Sequence, residues 1–257
     1  MERRKFIQKS VVATTALTAG LTTAHALAAD KTKELYELRV YELSWNKNAL
    51  EDYFSKALIP ALNKMGIKNV GVFREIGKSE PTKIYLLIPY GSCEDFVNVN
   101  AKLKADTNYQ QASEAYAQIP SDQKAYARYE SSLMIAFDGM PRLVVPQNST
   151  RLFELRTYES YSDDALRRKI KMFNESEFAI FSRVKLNSVF FGEVIAGNHM
   201  PCLTYMITFK NMEELDASWK AFGSDSEWQK ISKAPEYADS VSRIHKVLLE
   251  PLSISQI

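Results

Sequence analysis

One six-residue stretch occurs twice in this chain: Glu37–Glu42 reads ELRVYE and Glu154–Glu159 reads ELRTYE. The match extends further. NVGVFREI (Asn69–Ile76) lines up with NSVFFGEV (Asn187–Val194), and PTKIYLLI (Pro81–Ile88) with PCLTYMIT (Pro201–Thr208). ADTNYQQ (Ala105–Gln111) lines up with SDSEWQK (Ser224–Lys230), and the offset stays between 117 and 120 positions throughout. Collinear self-similarity of this kind marks one supersecondary unit used twice. Both halves must then adopt the same fold, and a face that one half cannot cover alone is available to its copy.

The pattern inside each copy is strand, helix, strand, strand, helix, strand. In the first, alternation predicts strands over Leu35–Leu43, Lys68–Ile76, Lys83–Pro89 and Tyr126–Phe137. Leu50, Phe54, Ala57 and Ala61 keep helical spacing, and Pro60 should bend that helix. Ser92 can cap a second helix, with Glu94 and Asp95 in its first turn. The second copy repeats the order from Arg151–Glu159 to Val241–Leu249, with Ser162 or Asp163 as the corresponding cap. Twice strand-helix-strand with antiparallel pairing gives a four-stranded sheet with both helices on one side, a ferredoxin-like unit. The fold class is therefore α+β: two tandem ferredoxin-like units packed sheet to sheet as an internal dimeric α/β-barrel. The first unit covers 33–138 and the second 151–253. Residues 139–150, with Gly139 just inside a run containing Pro141 and Pro146, form a linker.

Residues 1–29 stand apart. Arg3, Arg4, Lys5 and Lys9 precede an uncharged, weakly apolar run from Val11 to Leu21, followed by small-residue cleavage candidates at Ala24–Ala28. That order is a secretory leader, and ERRKFIQKS resembles a twin-arginine export signal. The expected location is periplasmic. The run is too short and polar to span a membrane. Removing 28 residues takes away four basic side chains and one acidic one, so a net charge of +2 becomes about −1. The remaining surface offers no electrostatic footprint for nucleic acid. A homo-oligomer stays open, as does bridging of Cys93 to Cys202.

The repeated hexapeptide carries the candidate site. Strand side chains alternate, so Tyr36, Leu38 and Val40 share one face and Glu37, Arg39 and Tyr41 the other. In the second copy Phe153, Leu155 and Thr157 oppose Glu154, Arg156 and Tyr158. The apolar rows are expected on the helices, which aims the Glu-Arg-Tyr rows between the sheets. Buried charge must be paired and hydrogen-bonded. Two arrangements satisfy that: an ion-pair network that locks the strands in register, or a polar cavity in which Arg39 or Arg156 holds a small molecule. A solvated rim is the third.

The doubled ELR-x-YE start, the NVGVF-type second strand and the tandem ferredoxin-like pattern resemble the NIPSNAP family of the dimeric α/β-barrel superfamily. The resemblance covers most of residues 35–252 and is clearest from Arg151 onward. It implies the fold and no catalytic residue. The superfamily includes cofactor-free oxygenases, isomerases and haem-handling enzymes that use a sheet-lined cavity.

Other chemistry is sparse. There is no HExxH, CxxC, GxGxxG or GxSxG. GKS at Gly77–Ser79 lacks phosphate-loop spacing and is followed by Glu80-Pro81, so it reads as a hairpin turn. His199 falls in a turn and reads as a solvated residue rather than a metal or haem ligand, since metal sites gather several donors. His245 falls on a strand, as a structural histidine or a general base in the cavity. No metal and no cofactor is expected. Two functions remain: a small-ligand-binding or structural protein without defined catalysis, or a cofactor-independent oxygenase or isomerase acting on a small carbonyl or aromatic compound. Haem binding is a weaker third.

Overall fold

A computed structural model of the chain describes residues 32–44, 46–77 and 80–257. The leader expected over 1–29 and the turn residues Lys78 and Ser79 lie outside the described residues. The elements run in order β1 (Leu35–Leu43), α1 (Lys47–Tyr53), α2 (Ile59–Lys64), β2 (Gly71–Glu75), β3 (Lys83–Tyr90), α3 (Cys93–Ala105), α4 (Thr107–Ala117) and β4 (Tyr126–Ala136). The second copy follows with β5 (Leu152–Glu159), α5 (Asp163–Met172), α6 (Phe178–Arg183), β6 (Asn187–Ala196), β7 (Cys202–Phe209), α7 (Met212–Ser224), α8 (Ser226–Ile231) and β8 (Arg243–Pro251). Ser92 and Ser162 cap α3 and α5, each accepting the N–H of the residue three positions on. Among the described residues no helix is long and apolar enough to cross a membrane.

At Pro60 the sequence predicts a bend, and the structure instead departs from α geometry in the turn before it. A π-helical turn, Phe54–Leu58, joins α1 to α2, and Pro60 sits in the first turn of α2. The second copy makes the same π turn, Phe173–Glu177, between α5 and α6 with no proline near it. The irregularity belongs to the duplicated unit, and Pro60 is tolerated because the preceding turn already departs from α geometry.

All strands pair antiparallel and close into one barrel in the order β1-β3-β2-β8-β5-β7-β6-β4. Each copy contributes a sheet of ferredoxin-like order, β4-β1-β3-β2 and β6-β7-β5-β8. The halves meet edge to edge as well as face to face. β2 pairs β8 through Phe73↔Pro251 to Glu75↔Leu249, and β4 pairs β6 through Leu133↔Ala196 to Ala136↔Gly192. Closure removes every open sheet edge. Gly192 permits one of these seams: a Cβ there would sit 2.6 Å from the Met134 Cβ.

Three apolar cores result. One fills the barrel and draws on both copies, with Tyr36, Leu38, Leu87 and Met134 meeting Phe153, Leu155, Phe190 and Met206. The other two lie outside the barrel, under the helices of each copy, around Leu50, Phe54, Leu62 and Leu86 in the first and Phe173, Phe181, Tyr205 and Phe222 in the second. Each such side chain removed from water contributes about 1.5–3 kcal/mol.

Candidate functional site

The hexapeptide rows face the opposite way from the expectation. Tyr36, Leu38 and Val40, with Phe153 and Leu155, point into the barrel. Tyr41 and Tyr158 belong to the cores under the helices, and Glu37, Arg39, Glu154 and Arg156 lie on that side with them. The expectation assumed that the helix-facing side must be apolar. Here both faces of each strand are buried, so alternation does not rank them, and the helix side alone supplies partners for charge.

Those partners are specific. Arg39 donates through Nε (2.6 Å) and Nη2 (2.9 Å) to the two Glu37 oxygens, a bidentate pair. Tyr90 and Ser131 hydroxyls add 2.9 Å bonds to the same carboxylate. In the second copy Arg156 donates through Nε (2.9 Å) and Nη2 (2.8 Å) to Glu154 Oε1, while the Trp219 indole N–H donates to Oε2 at 2.7 Å. The Arg156 guanidinium lies 3.7 Å from the Trp219 ring centroid. Burial opposes the charge on Arg39, but the Glu37 carboxylate overrides it and holds the guanidinium above its ordinary value. Burial pushes the Tyr41 phenol up to about 12 against the pull of Arg39. Each Glu–Arg pair lies within its own strand, while Tyr90 and Ser131 tie Glu37 to β3 and β4 and Trp219 ties Glu154 to α7. None of Glu37, Arg39, Tyr41, Glu154, Arg156 and Tyr158 lines the cavity at the barrel mouth.

A cavity does exist, at one end of the barrel. It measures about 280 Å³. Its walls are Leu38, Val40, Leu155, Val194 and Val247, and its polar groups include Lys83, Tyr85, Thr157, Thr204, His199, His245 and Lys246. Of the seven expected site residues only His245 lines it. Tyr85 is oriented by its hydrogen bond to Glu75, and burial first, then that bond, raises its phenol well above the ordinary range.

At the rim the chain gathers a group that the sequence did not suggest. Glu159 ends β5 and so closes the second hexapeptide, two positions past the Thr157 that pairs with His245 of β8. His199 reaches the same carboxylate from the β6–β7 turn, where it adopts φ +65° between Gly197 and Pro201. Glu159 Oε1 lies 2.5 Å from His245 Nε2 and 3.1 Å from His199 Nδ1, and the two imidazoles are 4.7 Å apart. The hydrogen bond from His245 is the main cause that lowers the Glu159 carboxyl below its usual range. His199 lies exposed in its turn, as expected, and from there reaches the strand end. The three positions are 40 and 46 residues apart, so no local motif signals them. The one available clue was that both histidines outside the leader fall in the second copy. Cys202, opposite Glu159 on β7, is buried, Cys93 is exposed, and the two are not bridged. Burial, then the nearby Glu159, pushes the Cys202 thiol up to about 11.

Solved structures share this architecture. A candidate monooxygenase from Fusobacterium nucleatum superposes with a TM-score of 0.54 at 15% identity, over 88% of this chain and 95% of its own. A candidate monooxygenase from Lactobacillus acidophilus gives 0.52 at 8% identity, over 85% and 94%. A NIPSNAP family protein from Agrobacterium tumefaciens gives 0.38 at 16% identity, over 41% of this chain and 97% of its own. For the first two, at such identities, the likeness is one of fold. No curated protein matches the sequence. The NIPSNAP family profile matches twice, over residues 36–134 and 153–256, which together take in both copies of the repeat. The chain belongs to the NIPSNAP family.

Proposed function

We propose that this chain is an exported member of its family that binds one small molecule in the mouth of the barrel. The observation that supports binding is the cavity itself: an apolar floor from both copies under a rim of Lys83, Lys246, His199 and His245. Two ammonium groups against the single carboxylate of Glu130 in the lining favour a compound with an apolar body and an anionic or carbonyl head. At about 280 Å³ it falls just under the ~300–1,000 Å³ of typical ligand sites, which suits a molecule of about one ring. Export rests on the leader pattern of residues 1–29 alone.

A second reading, catalysis without a cofactor, is favoured by the His245–Glu159 hydrogen bond. A carboxylate that orients an imidazole at a pocket wall is the arrangement of a general base. It suits proton abstraction beside a carbonyl, the first step of an isomerase or of a cofactor-free oxygenase. The two candidate monooxygenases with the same fold agree with that reading at the level of architecture only.

Native mass spectrometry of the protein from its own host tests both the ligand and the export. The expected spectrum shows a chain shortened by the leader and carrying one small adduct. Val40→Trp, which fills the cavity wall, should abolish the adduct and leave the melting temperature within a few degrees. A full-length chain refutes export. Absence of any adduct, together with no thermal shift from small aromatic or aliphatic carboxylates, refutes the binding reading.

A further inference from the structure

We propose that Glu159, His199 and His245 form a binding site for a divalent transition metal of the zinc class, with its open coordination position facing the barrel cavity. Two imidazoles and one carboxylate converge with their donor atoms all within 4.8 Å of one another, the one such group found among the described residues. The chemistry of the set is selective. Imidazole suits Zn²⁺, Ni²⁺, Co²⁺ and Fe²⁺, whereas Mg²⁺ and Ca²⁺ require oxygen donors. Two histidines and a carboxylate form the donor set of catalytic zinc and of non-haem iron sites, which leave one or more positions free.

The distances are near those a metal needs. Metal–donor bonds of ~2.0–2.2 Å place donors roughly 3.3–3.5 Å apart in a tetrahedron. Glu159 Oε1 and His199 Nδ1 already stand 3.1 Å apart. The 2.5 Å contact to His245 Nε2 must lengthen by about 1 Å, which a side-chain adjustment supplies because none of the three is fully buried. Without metal a proton bridges carboxylate and imidazole in the place the ion would take. His199 and His245 both line the cavity and Glu159 does not, so the unfilled position opens toward the space where a ligand would sit. Lys83 and Lys246 in the same lining place positive charge nearby, so the site should bind less tightly than a closed structural one.

The duplication supplies an independent comparison. Glu42 occupies in the first copy the place that Glu159 holds in the second. Yet the chain contains no histidine between His25 and His199. The scaffold carboxylate is common to both copies, and the nitrogen donors occur in one alone. A hydrogen bond that merely fastened a turn to a strand would not require two imidazoles on one oxygen.

The test uses the untagged mature protein, stripped with a chelator, and the metal ions alone. Equilibrium dialysis with elemental analysis against Zn²⁺, Ni²⁺ and Co²⁺ should show one equivalent per chain, and none of Mg²⁺ or Ca²⁺. Bound Co²⁺ should give the intense visible absorption of a low-coordinate site. Glu159→Gln, His199→Ala and His245→Ala should each weaken binding at least ~10-fold, with circular dichroism confirming that each variant is folded. No retained equivalent in the native protein overturns the site, as does equal retention by a His199→Ala/His245→Ala double variant. Val40→Trp leaves all three donors in place, so loss of the organic adduct and loss of the metal are read separately.

Discussion

Replacing Glu154 with Ala probes the feature that most distinguishes this barrel from its sequence-level expectation. Glu154 is buried, and its side chain accepts three hydrogen bonds, two from Arg156 and one from Trp219. Removing it strands a guanidinium whose side chain is only 13% exposed and an indole N–H beneath α7. Breaking one partner of a buried pair costs ~3–5 kcal/mol. Arg156 keeps the Tyr158 hydroxyl at 3.3 Å and the face of Trp219, so the lower end, about 3 kcal/mol, is expected. For a domain of this size ~1 kcal/mol moves the melting temperature by ~2–4 °C, which gives a drop of roughly 6–12 °C by calorimetry. Urea unfolding followed by tryptophan fluorescence should give the same loss with an unchanged slope. The Glu154→Leu/Arg156→Met double variant removes both charges and leaves only the Trp219 N–H unpaired, a cost of ~1–3 kcal/mol. It should therefore be more stable than Glu154→Ala. A Glu154→Ala variant within about 1 kcal/mol of the native protein, or a double variant less stable than the single one, would refute the stabilising role of this buried pair.

Two other perturbations test separate parts of the structure. Gly192→Ala should destabilise by ~1–3 kcal/mol through overpacking at the β4–β6 seam, because the new Cβ would lie 2.6 Å from that of Met134. Met134→Ala in the same chain should recover part of the loss, and a neutral Gly192→Ala would place the seam elsewhere. Asp225 caps α8 and pairs with Arg183, and that pairing first, then the Trp228 N–H, holds its carboxyl at about 2 against an ordinary 3.8. A depressed value means that the stabilisation is complete above pH ~4 and is lost as pH falls through about 2. The melting-temperature gap between native protein and Asp225→Asn should therefore be constant near neutrality and close on acidification to pH 2, and a gap that persists there would refute the assignment.

The sequence by itself determined the duplication, the order of elements, the cap at Ser92 and the barrel, and narrowed the second cap to Ser162 or Asp163. Each follows from periodicities of local range, or from the fact that a sheet with helices on one side must cover its other side. The family, too, was legible in short strand motifs. Alternation also showed correctly which residues share a face. It could not decide which face turns inward, because that choice depends on partners far along the chain: Tyr90 and Ser131 for Glu37, Trp219 for Glu154. Once both faces are dry, the charged row goes where its hydrogen bonds can be completed. The rim group of Glu159, His199 and His245 had the same kind of origin. A strand end, a turn and a neighbouring strand bring three scattered donors to one point, and only the pairing of β5 with β7 and β8 in the second sheet sets their separation.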